Sequence, residues 1–139
     1  MNAYRKARND YGTVELMTGV ATANSVQLAQ MLFDGLVDSL NVARGHILHG
    51  ATAEKARALS RASRIVVGLQ EGLDFERGGE IAQTLGELYG YVQRRLVHVN
   101  ANNDVAVLDE LHGLMSEIRA AWRTLDPLPG RATLGAMVA

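Results

Sequence analysis

Cysteine is absent, and proline and phenylalanine occur only twice each in 139 residues. Without a thiol the chain has no cysteine nucleophile, no cysteine-ligated zinc, no iron–sulfur cluster and no disulfide. That composition fits a reducing compartment, so cytoplasm is the expected location. Long apolar runs are missing too. Nothing approaches the ~18 apolar residues that a membrane span needs, and the charged opening MNAYRKARNDYG is followed by no signal-peptide core. A soluble, unprocessed protein is expected. Charge of one sign is also scarce: a net charge of -1 creates no field that would gather a phosphate backbone, so nothing favours nucleic acid. The length suits a single domain that buries about two-thirds of its unfolded surface and needs no disulfide or metal staple.

What the chain does have is helical period. Its organising stretch is Leu73 to Leu96, where Gly78-Gly79 interrupts any incoming helix and Glu80 places an acid in the first turn of a new one. From there Ile81, Leu85, Leu88, Val92, Leu96 and Val99 recur at spacings of three and four, which defines one core-facing stripe. Before it, Asn24 and Ser25 are candidate N-caps for a helix over Val26 to His49 with the stripe Leu28, Leu32, Leu36, Leu40, Ala43 and Ile47. Gly50 suits a helix end. Thr52 is a candidate cap for a second helix ending near Gly72, with the stripe Ala56, Leu59, Ala62, Val66, Leu69 and Leu73. Asp104 can cap a fourth helix whose stripe is Leu108, Leu111, Met115, Ile118, Trp122 and Leu125. Pro127 and Pro129 then stop it. The expected fold is all-α: an antiparallel up-and-down four-helix bundle over residues 25–125, because short connections force neighbouring helices antiparallel. Residues 1–24 form an N-terminal arm outside the four stripes, and residues 126–139 a flexible C-terminal tail.

Chemistry-bearing patterns are sparse. A di-iron bundle requires Glu-x-x-His pairs, and none occurs. His46 and His49 sit where an imidazole favours a helix C-terminus, while His98 and His112 lack a carboxylate three or four residues away. No Gly-x-Ser-x-Gly elbow exists, and Gly78-Gly79 has neither the Lys-Ser/Thr ending nor the preceding strand of a phosphate loop. No enzyme, cofactor or metal is expected.

A surface for a protein partner is better supported. Six glycines, among them Gly86 and Gly90, occupy interior helical positions, where each costs about 1 kcal/mol relative to alanine. Gly86 and Gly90 share a bare face that Gln93 and Val97 continue, and a bare face admits another backbone. Apolar residues also fall outside the stripes: Val26, Phe33 and Val37 on the first helix, Val67 beside Arg64 on the second, and Tyr91 between Glu87 and Arg94 on the third. Contiguous ridges of this kind mark partner surfaces. Arg57, Arg61 and Arg64 line one side of the second helix, as a solvated face or a patch for an acidic peptide.

Several pieces together resemble the flagellin-specific export chaperones of the FliS family. They are Met31-Leu32-Phe33-Asp34-Gly35, Leu73-Asp74 with Glu76, Gly78-Gly79-Glu80-Ile81-Ala82, Leu85, Leu88-Tyr89, Tyr91, Leu96, the turn from Val99-Asn100 to Asn103-Asp104, and Trp122. The resemblance spans about residues 20 to 125. It implies a cytoplasmic chaperone that binds the disordered C-terminal segment of flagellin, prevents premature polymerisation and helps deliver it to the type III export gate. It also implies that an N-terminal tyrosine, here Tyr4 or Tyr11, can fold over part of the binding surface. The arm departs from the usual pattern in its length, and Val26 stands where proline is usual. A disordered partner is ordered on binding and wraps a large area, which suits grooves between helices. The expected partner surface therefore comprises Tyr4, Tyr11, Phe33, Val37, Arg57, Arg61, Arg64, Val67, Gly86, Gly90, Tyr91 and Val97, on a monomer or weak homodimer that also meets the export gate and other flagellar regulators. The competing reading is an oligomeric or ligand-carrying bundle that buries the same ridges between subunits.

Overall fold

The computed structural model describes residues 23–124 as four helices in chain order: α1 Ala23–Leu48, α2 Thr52–Glu71, α3 Phe75–Asn102 and α4 Val105–Arg123. Connections of three, three and two residues join them. Links that short leave each helix no choice but to fold back against the last. α1 packs on α2 and α4, and α3 packs on α2 and α4, so the helices form a closed ring, with no strand among the described residues. Tyr4, Tyr11, Leu125, the C-terminal prolines and most of the proposed arm and tail lie outside the described residues.

The core is a single cluster to which every helix contributes. α1 supplies Phe33, Leu36 and Leu40, α2 Leu59, Ala62 and Val66, α3 Tyr89, Val92 and Val99, and α4 Leu108, Leu111, Met115 and Trp122. The Phe33 and Trp122 rings meet at 6.0 Å between centroids with 35° between their planes. Burial of this kind, rather than intrinsic propensity, holds most protein helices together. Of the stripe expected on α2, Leu59, Ala62, Val66 and Leu69 are buried and Leu73 half-buried, and of that on α4, Leu108, Leu111, Met115 and Trp122 are buried and Ile118 half-buried, whereas Ala56 is exposed and its neighbour Lys55 buried. On α3, Leu85 and Leu88 are half-buried, Ile81 faces outward, and Tyr89 enters the core in its place.

The stripe on α1 is rotated from the expected one. Val26, Ala29, Phe33, Leu36, Val37, Leu40 and Ala43 are buried, whereas Leu28, Leu32 and Ile47 are only partly so. The anticipated outer ridge of Val26, Phe33 and Val37 is therefore interior. Both faces are apolar, and the small residues Ala29 and Ala43 let this one come close to its neighbours.

Helix ends follow local chemistry with three corrections. α1 begins at Ala23, which places Asn24 and Ser25 inside its first turn. α2 starts at Thr52 behind Ala51, with no side-chain cap. At the other ends Gly50 adopts φ +69°, and the His49 ring bonds the Gly45 carbonyl at 2.8 Å. Asp104 caps α4 by accepting from the Val107 amide at 3.2 Å. α3 starts before the glycine pair: Asp74 caps it by accepting from the Arg77 amide at 3.1 Å, and the chain kinks at Gly79, whose φ of 49° and ψ of -123° are open to glycine but strained for other residues.

Candidate partner groove

The kink at Gly79 determines what lies beside the middle of α3. Along an unbroken helix Phe75 and Gly86 would stand about 16 Å apart. In the structure a Cβ added to Gly86 would lie 3.6 Å from the Phe75 ring and 3.5 Å from Leu73 Cδ1. The first turn of α3 has folded back over the helix that follows it. Phe75, although 54% exposed, thus becomes one wall of a concavity.

α2 and α3 are clasped elsewhere along their seam. The Ser63 hydroxyl donates to Gln93 Oε1 at 2.7 Å, and Gln93 Nε2 donates to the Ser63 carbonyl at 2.9 Å. Further along, the buried Lys55 ammonium donates to the Asn100 carbonyl at 2.9 Å and to Asn103 Oδ1 at 2.8 Å, so a cation closes the C-terminal end of α3 where the helix dipole favours it. Beyond these clasps, toward the end of α2, side chains give out. There an open groove of about 620 Å³ is lined by Gln70, Leu73, Phe75, Gln83, Gly86, Glu87, Gly90 and Arg94. A Cβ on Gly90 would meet nothing within 4 Å but an Nη atom of Arg94, at 3.5 Å. Its floor is glycine backbone, its wall Leu73 and Phe75, and its rim amides and two opposite charges. Such a surface admits the close approach of another backbone and can bond it. Among the described residues no group of three or more His, Asp or Glu side chains is placed to hold a metal ion.

Of the residues that sequence reasoning offered for partner binding, the structure brings Gly86 and Gly90 into this groove. Val97 lies two turns beyond Gly90 on the same side of α3 and is 71% exposed, and Val67 is an exposed residue of α2. Gln93, expected to continue the bare face, instead holds Ser63. Phe33 and Val37 belong to the core and offer no outer surface. Tyr91 is half-buried and turns toward α4, where its hydroxyl donates to Glu110 at 3.1 Å. The arginine row diverges. Arg57 meets Glu54 at 3.5 Å and Arg64 donates to Ser60 at 2.9 Å, while Arg61 reaches across to α1 and donates to Ser39 Oγ at 2.6 Å and to the Gly35 carbonyl at 3.2 Å. Arg61 is a cross-brace between helices.

Phe75, Leu73, Gln70, Gln83, Glu87 and Arg94 were missed as groove residues. Phe75 could have been found from Asp74, a good cap directly before it, followed by glycines that allow a reversal. The carboxylate partner missing for His98 lies six residues on: His98 Nε2 donates to Asp104 Oδ2 at 2.8 Å across the α3–α4 turn. That bond and then the Val107 amide, with a lesser contribution from the nearby Arg95 charge, hold the Asp104 carboxyl below its ordinary range against the opposing effect of desolvation. Burial pushes the Tyr89 phenol well above its ordinary value, and it stays neutral.

Residues 7–129 match the family described as flagellar protein FliS. The chain is 43% identical over 118 residues to the flagellar secretion chaperone FliS of Salmonella typhimurium, covering 84% of this chain and 87% of that one. It is 39% identical over 117 residues to the flagellar secretion chaperone FliSB of Pseudomonas aeruginosa, covering 84% and 93%. To FliS of Escherichia coli the identity is 35% over 119 residues, covering 85% and 88%.

Proposed function

The chain belongs to the FliS family of flagellar proteins, and from that premise we propose that it is a cytoplasmic secretion chaperone for flagellin, without catalytic activity. It binds the disordered C-terminal segment of flagellin, keeps it from polymerising early and assists its delivery to the flagellar export apparatus. Relatives named as flagellar secretion chaperones support the general role. The groove between the end of α2 and α3 is the observation that carries the finer reading. It leaves the Phe75 ring exposed beside two helical glycines that carry no side chain of their own, and an amphipathic segment folding on contact can fill it. The N-terminal arm, with Tyr4 or Tyr11 as anchor, competes with the partner for part of this surface. Deleting residues 1–17 should then tighten binding of a short flagellin peptide, and weaker binding by a folded truncation would make the arm part of the binding surface.

Gly90→Leu tests the groove. The added side chain fills open space and replaces glycine with a better helix former, so the melting temperature should hold or rise while affinity for a C-terminal flagellin peptide falls at least tenfold by calorimetric titration. Unchanged affinity at unchanged helicity would exclude this groove as the site.

A further inference from the structure

We propose that this groove reads the order of charges on the helix it receives, with Arg94 taking a carboxylate and Glu87 a cation about two turns away. The inference rests on the chaperone reading and adds the partner's chemistry to it. Elsewhere on the bundle exposed charges are largely spoken for: Arg44 pairs with Asp109 at 2.8 Å, Arg57 with Glu54 at 3.5 Å and Arg123 with Asp34 at 3.2 Å. Arg94 and Glu87 both line the groove, both are exposed, and neither has a hydrogen-bond or ion-pair partner among the described residues.

Their placement is specific. They are seven positions apart, so both side chains leave the same side of α3 from Cα positions about 10 Å apart along the helix axis. Between them is Gly90, over which the Arg94 side chain folds back, so the cation sits above bare backbone within the groove. A second helix laid here would seat its apolar residues against Leu73 and Phe75, and the flexible Arg94 side chain would swing off Gly90 to meet an acid on that helix. One charge at each end of that contact would meet its opposite, and the wrong order would set like charges together. Direction follows as well. An isolated helix is favoured by an acid in its first turn and a base in its last. A helix of that kind matches Arg94 and Glu87 only when it runs antiparallel to α3. The occupant is thus an amphipathic helix with Asp or Glu at one position, apolar residues three and four places on, and Lys or Arg seven places on.

The test uses the full-length protein and fluorescence anisotropy with the C-terminal flagellin segment as probe. Arg94→Glu and Glu87→Lys should each weaken binding about tenfold at low salt, an effect that shrinks as salt screens it, whereas Arg94→Lys should stay within about twofold. Two synthetic helical peptides of identical composition, one acid-first and one base-first, then ask for order. Wild type should prefer the acid-first peptide, and the variant carrying both reversals should prefer the other. If Arg94→Glu disturbs helicity, Arg94→Gln gives the same decision with a smaller expected loss. Flagellin binding that survives both single reversals within about twofold, or peptides bound without regard to order, overturns charge reading and leaves the chaperone reading standing. A wild-type protein that ignores the flagellin segment overturns both.

Discussion

Phe33 shows how a single side chain decides which face of α1 is inside. It is fully buried against Trp122, a residue 89 positions away. Phe33→Ala should destabilise the fold by about 3–5 kcal/mol, read from urea unfolding, whereas truncation of the half-buried Leu32 should cost less. An equal cost at the two positions would restore the stripe expected from spacing. The sequence displayed two apolar faces on α1 and fixed their period but not their phase, because phase depends on which small residues permit approach and which distant ring receives Phe33. Asp104 carries a second residue-scale prediction. Its folded carboxyl titrates below the unfolded value of about 3.9, chiefly through the His98 bond and then the Val107 amide. A depressed folded value means the contribution is present above that pH and is lost as pH falls through the lower folded value. Asp104→Asn should therefore melt earlier than wild type at about pH 6, with the gap closing toward about pH 3. A gap independent of pH would assign it to the cap geometry alone. His98 could not be paired with Asp104 from helical spacing, since their bond spans a turn.

At the scale of elements, α3 is the helix in which local sequence and tertiary outcome part most visibly. The glycine pair announced a break, and a break is there, but the residues before it form a capped turn of the same element instead of a connection that precedes it. What spacing could not convey is that Gly79 with positive φ reverses the chain enough for Phe75 to stand over Gly86. Two residues that belong to separate turns of sequence thereby become a wall and a floor. Gly79→Ala forces a side chain into backbone that disfavours it and should destabilise by of order 1–3 kcal/mol, or else straighten α3 and withdraw Phe75. The two results are separable: equilibrium unfolding reports the first, and loss of flagellin-peptide affinity at unchanged stability reports the second. If neither quantity moves, the kink does not build the groove.

The four helices close as a ring, and each seam has its own polar tie as well as shared core. Arg61 joins α1 to α2, Gln93 and Lys55 join α3 to α2, Tyr91 joins α3 to Glu110 of α4, and Asp109 and Asp34 bring α4 to α1. This much was legible: connections of two or three residues between strongly periodic segments leave few topologies other than an up-and-down bundle. The polar ties were not, since each spans at least 19 residues and depends on the final rotation of two helices. On the chaperone reading a partner binds an already native chain and adds its binding energy to stability. At a free peptide concentration 100 times Kd the added stability is about 2.7 kcal/mol, enough to raise the melting temperature by about 5–10 °C for a domain of this size. A self-assembling bundle behaves differently, because its melting temperature climbs with its own concentration and ignores the peptide. Melting curves at two protein concentrations, with and without the flagellin segment, therefore separate the two readings: a peptide-dependent shift that is insensitive to protein concentration supports the chaperone, and the reverse pattern would assign the groove to contacts between subunits.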